Sequence, residues 1–270
     1  MELDFSAWLQ LFTRWFHVVL GVTWIGQTYL FNWLERRMEA PPEGSAGEGV
    51  SGQLWMVHSG GFFKVQKLTK PRVMPTTLHW FKWEAALTWL SGILLLILVY
   101  YQGGLLLQYD AEMSNGAASM LSLALLAAGW LVYLLIWRLP FAKNEIVGGA
   151  ISFAAIMATA YLLSPIYSSR ALYMQIGAIF GTIMAANVWL RILPAQRQML
   201  AATEAGEEPD MTKGAWAAQG SKQNTYMSVP LIFIMISSHF PTITYGSDMA
   251  LPVLGGLILA GWGGAKLMRG

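Results

Sequence analysis

Long apolar runs, separated by polar and glycine-rich stretches, set the pattern of this 270-residue chain. A helix needs about 20 such residues to cross the hydrocarbon of a bilayer. On that measure the runs predict seven spanning helices, at approximately 8–34, 77–101, 117–138, 146–163, 171–193, 226–245 and 249–267. The polar stretches between them predict the orientation. The 35–75 loop holds Arg36, Arg37, Lys64, Lys67, Lys70 and Arg72, whereas residues 102–116 hold no Lys or Arg. Basic loops stay in the cytoplasm, so the first loop is expected inside and the second outside. Continued alternation places Arg138 and Lys143 inside, Arg170 outside, Arg191, Arg197, Lys213 and Lys222 inside, and Lys266 and Arg269 inside. The expectation is one all-α integral membrane domain over residues 1–270, a polytopic helix bundle with its N-terminus out and its C-terminus in.

Two of the loops are long. Residues 39–53 (EAPPEGSAGEGVSGQ) have the composition of a flexible connector. The stretch that follows, Leu54 to Leu68, mixes aromatics with lysines as a helix lying in the membrane interface would. The second long loop, about 194–225, is acidic and then polar, and is expected to form a solvated cap on the cytoplasmic face. No internal repeat is visible, which argues against an inverted-repeat transporter.

Composition narrows the chemistry. The chain is 55% hydrophobic and 12% charged, with 13 Trp and a mean hydropathy of +0.46, outside soluble proportions. The absence of cysteine removes disulfides, thiolate metal sites, iron–sulfur clusters and covalent haem attachment together. A formal charge of +2 gives no argument for a nucleic-acid partner. The start, Met1 to Asp4, lacks the basic region of a cleaved signal peptide, so the first span is expected to be retained.

Histidine inside apolar sequence is the most specific chemical signal. His17 lies nine residues in from Trp8, roughly 14 Å below the outer edge, and His239 lies six residues before Tyr245, roughly 9 Å below it. Neutral imidazole is a common metal ligand, and a haem needs two axial groups on opposite faces of one porphyrin. Shared depth therefore pairs His17 with His239 as axial ligands of a non-covalent haem b. Gly21, one turn along, would admit a flat macrocycle, Arg14 would meet propionates, and Met235 shares a face with His239. The structural alternative for each histidine is an interhelical hydrogen bond. His58 with His79 is the corresponding choice for a second haem, nearer the cytoplasm.

A second constellation gathers at the cytoplasmic ends: His79, Lys82 and Glu84, then Arg138, Lys143, Asn144 and Glu145, then Asn187 and Arg191. Lys and Arg there also serve as snorkelling topology determinants. Glu84 and Asn187 lie deeper than topology requires, which favours them as polar site groups. Gly177 and Gly181 form a G-x-x-x-G that reads as a packing face.

The segments RWFHVVLGVTWIGQTYLFNWLE (14–35), GGFFKVQKLTKPRVMPTTLHWFKWEAALTWLSG (60–92), RALYMQIGAIFGTIMAANVWLRILPAQRQML (170–200) and GSKQNTYMSVPLIFIMISSHFPTITYG (220–246) resemble the membrane domain of the bacterial membrane-bound urate oxidases, or urate hydroxylases. The resemblance covers nearly the whole chain. It implies oxidation of urate to 5-hydroxyisourate in the bacterial inner membrane, with electrons leaving through a cytochrome c that is typically fused C-terminally. This sequence departs from that pattern, because no Cys follows the last predicted helix. The cytochrome is then expected as a separate protein, as a part outside this sequence, or as replaced by another acceptor. Urate is an anion at neutral pH, so Lys82, Arg138 and Lys143 would suit it by charge. Glu84 and His79 are the base candidates, with Asn144 and Asn187 available to hydrogen-bond the ring. The rival readings are a transporter of a small organic anion that uses the same basic residues, and a haem-b subunit that only relays electrons.

Overall fold

Short polar side chains set where the helices begin. Asp4 Oδ1 accepts from the Ala7 N–H, Ser114 from Ala117, Asn144 from Ile146 and Val147, Ser168 from Ala171, and Asp210 from Thr212. Each satisfies backbone donors that a helix start leaves free. Arg36 and Arg37, Arg138, and Lys266 with Arg269 lie in the last turns of three helices, where cations meet the negative end of the helix dipole. A computed structural model describes residues 4–42, 49–68 and 75–269. Lys70 and Arg72 of the basic loop, and residues 43–48 of the connector, lie outside the described residues.

The helices are α1 (Phe5–Arg37), α2 (Trp83–Leu95), α3 (Asn115–Arg138), α4 (Glu145–Leu163), α5 (Ser169–Ala186), α6 (Leu193–Glu204), α7 (Met211–Ser237) and α8 (Ala250–Arg269). A π-helical stretch, Leu96–Tyr101, extends α2, and a second, Asn187–Ile192, joins α5 to α6 without a break. Among the described residues five helical rods are long and apolar enough to cross a membrane: Trp83–Tyr101, Asn115–Arg138, Glu145–Leu163, Ser169–Glu204 and Ala250–Arg269. The two long helices outside that set, α1 and α7, carry Asn, Gln, Ser and Thr along much of their length.

Buried area concentrates on α5. Leu172, Tyr173, Ile176 and Phe180 are fully buried there, with α2, α3 and α7 packed around it. α1 packs along α2, and α7 along α8. At the α7–α8 crossing the backbones nearly touch: a Cβ on Gly261 would lie 2.6 Å from the Pro230 nitrogen. Small residues permit such approaches in membrane bundles, where packing and not hydrophobicity drives association. Outward-facing Val18, Val22, Leu131, Leu135 and Leu162 are exposed, as lipid-facing residues would be.

Four expectations are corrected. Residues 54–68 form no interfacial helix but an antiparallel hairpin of β1 (Val50–His58) and β2 (Gly61–Leu68). Ser59 and Gly60 both take positive φ, 49° and 76°, the two-residue turn that matches strand twist. The 194–225 stretch is not a loop forming a solvated cap, since α6 and the first half of α7 occupy most of it and Gln223, Asn224 and Thr225 of α7 are buried, although 204–208 stays exposed. Helix α2 starts at Trp83 and not at 77, and α7 stops at Ser237, short of His239.

Candidate functional site: a buried guanidinium

The Asn187–Ile192 π-helical stretch puts Asn187 and Arg191 on one face, toward α3 and α7. Such local changes of helical pitch recur at functional sites. Arg191 is 1% exposed. Its Nε donates to the Trp216 carbonyl at 2.8 Å, Nη1 to the Tyr133 hydroxyl at 2.9 Å and Gln223 Oε1 at 3.3 Å, and Nη2 to Gln219 Oε1 at 2.8 Å. The guanidinium also lies 4.4 Å from the centroid of the Trp216 ring, within cation–π range. Gly220 makes room for it, because a Cβ there would sit 3.1 Å from Arg191 Cδ and Nε.

Every one of these partners is neutral, and among the described residues no ion pair involves Arg191. Taking a charge out of water costs several kcal/mol even after relaxation. Hydrogen bonds to a charged group return about 1.5–3 kcal/mol each, so the site is held together by amides and a phenol with the positive charge left uncompensated. Four of the five guanidinium N–H groups are engaged, which leaves one on Nη2.

The second layer fixes the first. Asn187 Nδ2 donates to the Tyr133 hydroxyl and to Asn224 Oδ1, both at 2.9 Å, and Asn224 Nδ2 donates to the Met184 carbonyl. The Tyr133 hydroxyl, accepting from Arg191 and Asn187, donates to Gln223 Oε1. Gln223 Oε1 thus faces a guanidinium and a phenol, which fixes the flip of its amide. Its Nε2 is buried without a partner.

Tyr133, Gln219 and Gln223 form the polar end of a cavity of about 760 Å³ between α3, α4, α5, α7 and α8. The remaining wall is mainly apolar, with Ile179, Phe180, Phe153 and Trp262 among its residues, and also carries Glu145, Lys222 and Lys266. Lys222 pairs with Glu145 at 2.6 Å, tying α7 to α4 beside this end. That pair is half-exposed and contributes at most about 1 kcal/mol.

Of the expected substrate groups, the structure brings Asn187 into this network, and Arg138 adjoins it 5.6 Å from the Trp216 ring centroid. Lys143 is exposed in the turn before α4, and Asn144 spends its side-chain oxygen capping that helix. The expected catalytic groups lie elsewhere. Glu84 accepts from Gln27 Nε2 at 3.3 Å, between α2 and α1. Glu84 Oε2, Gln27 Oε1 and Trp189 Nε1 are buried without partners. Lys82 lies over the Trp83 and Trp189 rings, and those two rings meet edge to face, so this cluster sits on the other side of the π-helical stretch from Arg191. His79 is exposed in the non-helical approach to α2, and His58 is exposed at the hairpin turn.

One to two turns along α2 from Glu84, His17 Nδ1 contacts the Thr88 carbonyl at 3.0 Å and Ser91 Oγ at 2.9 Å. Gly92 leaves space for the ring, as a Cβ there would be 3.1 Å from His17 Cε1. Gly21, expected to admit a macrocycle, instead faces Thr88, and Gly177 packs against Ile234 and Met235. Arg14, one turn from His17, is exposed. His239 is exposed in the turn after α7. Anchoring one ring nitrogen fixes orientation and leaves the other free, the usual arrangement of a ligating histidine. His17 thus makes the interhelical hydrogen bond of the structural alternative, with its second ring nitrogen left for a ligand.

Sequence reasoning missed Tyr133, Trp216, Gln219, Gln223 and Asn224, and counted Arg191 as a topology residue. A usable signal existed in Trp216, Gln219 and Gln223, spaced three and four apart on one helical face, with Asn187 and Arg191 four apart on another.

Fold and site together define a mainly helical protein with five described helices long and apolar enough to cross a membrane, built around a buried cation with no ion-pair partner among the described residues, beside a cavity. Residues 4–265 match the family model described as urate oxidase N-terminal, and the chain belongs to that family. No curated protein and no solved structure matches it.

Proposed function

We propose that the protein is a membrane-bound urate oxidoreductase, converting urate to 5-hydroxyisourate, and that urate binds at the Arg191 end of the cavity. The observation that carries the reading is the buried guanidinium without a carboxylate, in a chain of the urate oxidase N-terminal family. An anionic substrate supplies the missing charge. Urate is also flat and edged with carbonyl and N–H groups, which suits the free Nη2 hydrogen of Arg191 and the unpartnered Gln223 Nε2.

Oxidation removes two electrons and two protons from urate and water while the water oxygen joins the ring. Tyr133 is the group we assign to relay a proton. Tyr133 lines the cavity, and hydrogen bonds from Arg191 and Asn187 hold its hydroxyl in place. Asn187 and Asn224 position Tyr133 and do not themselves reach substrate. His17 and His239 would hold a haem b, which would supply an acceptor for single electrons on their way to a separate cytochrome c or another respiratory acceptor. The orientation with the Arg191 end toward the cytoplasm, and seven spans with α1 and α7 included, belong to the same proposal.

Anaerobic mixing of purified protein with urate, followed in the visible spectrum, tests the function. The expected result is a b-type spectrum that urate reduces, and that His17→Ala abolishes or shifts. A protein without chromophore that moves urate across vesicles would establish the transporter instead.

A further inference from the structure

We infer that the β1–β2 hairpin is a membrane-surface element whose outer face lies against the headgroups of anionic lipid at the basic end of the bundle. A lone two-stranded hairpin is at best marginally stable in water and needs a covering layer. Here no described residue covers the outer face. In the observed register Trp55 pairs with Lys64 and Val57 with Phe62, so these four side chains share one face. Trp55 is 60% exposed, Val57 69% and Phe62 81%. Lys64 Nζ lies 5.5 Å from the Trp55 ring centroid, which puts a cation on the apolar face itself.

The base of the hairpin is fixed to the end of α1. Lys67 Nζ pairs with Glu35 at 2.7 Å, the Gln53 backbone bridges to Glu39, and Met38 packs against Gly52. Arg36 and Arg37 close that helix, so its end and the hairpin beside it share one basic level. Aromatic and apolar side chains interspersed with lysine at the end of a long helix complement an anionic lipid surface, toward which each basic residue contributes attraction. The depth is limited from below. A two-stranded ribbon keeps unpaired N–H and C=O groups on both edges, and these cannot enter hydrocarbon, so the hairpin rests in the headgroup layer.

The chain contains no cysteine, so single cysteines can be introduced without background. Full-length protein bearing F62C, or separately V57C, is labelled with an environment-sensitive fluorophore and reconstituted into vesicles containing phosphatidylglycerol. E204C, on the exposed end of α6, is the aqueous reference. The expected result is blue-shifted emission at 62 and 57, with most of the intensity lost to a headgroup-level nitroxide lipid and little to aqueous iodide, and the reverse at 204. Exchange of phosphatidylglycerol for phosphatidylcholine, or K64E, should return the label toward water. Iodide quenching equal to that at 204 would overturn the inference. So would protection from both quenchers, which would mean that a second copy or another protein covers the face.

Discussion

Arg191 and Glu84 flank the same π-helical stretch, and they solve the burial of an ionisable group in opposite ways. Arg191 has four of its five N–H groups engaged and, among the described residues, no counter-charge, whereas Glu84 has one hydrogen bond from Gln27 and an oxygen with no partner. The first arrangement preserves a positive charge in the bundle, because each acceptor around it stabilises the ionised form without neutralising it. The second leaves one carboxylate oxygen buried without a hydrogen-bond donor, and no anion could be received there without a further clash of charge. A site for an anion is therefore expected on the Arg191 side. The Gln223 Nε2 donor and the cavity lie on that side too.

The largest expected effect is on Tyr133. Y133F keeps the ring and removes the proton-transfer group, and should lower urate turnover by about 10²–10⁴-fold while binding persists. Stopped-flow turnover beside equilibrium binding checks this. An unchanged rate would take the proton elsewhere. R191K comes next: it keeps a charge but loses the planar fork, and urate affinity should fall by about 10- to 100-fold, the worth of one charge-assisted hydrogen bond. Radiolabelled urate binding in nanodiscs reads it directly. Gln223 should weigh less, with Q223L weakening the same binding by about tenfold through one neutral hydrogen bond. Retained affinity in that variant would separate the orphan amide from the substrate.

Two smaller effects sharpen the contrast. Asp210 caps α7, and the hydrogen bonds it accepts from Thr212 side chain and backbone hold its carboxyl below the usual carboxylate range. A depressed folded value means the stabilisation is full above the ordinary carboxylate value and is lost as pH falls through the lowered one. Hydrogen exchange over the first turn of α7 should rise only at that acid limit, and exchange that rises already at neutral pH would remove Asp210 as the cap. Finally E84Q, on the far side of the π-helical stretch, should leave both affinity and turnover at wild-type values. A large loss of turnover would restore Glu84 as the base.

The contrast also shows what hydropathy could and could not read. Apolar runs located α3, α4, α5 and α8 well, because nothing polar interrupts them for long. α7 was half-hidden: Gln219, Gln223, Asn224 and Thr225 read as loop, since a window average cannot distinguish a polar side chain facing water from one facing Arg191. The hairpin was misread for a related reason. Its alternation is apolar on both faces, so period two is masked, and only Ser59-Gly60 marked the turn. His17 was legible as a polar group within an apolar helix, but its partners Thr88 and Ser91 come from a helix some 70 residues away and leave no local trace.

The most direct measurement is a structure of the protein determined anaerobically with urate bound. The account predicts a flat ligand at the polar end of the cavity, within hydrogen-bond distance of Gln223 Nε2 and Arg191 Nη2, with Tyr133 against its edge. Urate seated instead among Glu84, His79 and Lys82, with the Arg191 network closed and unchanged, would contradict it.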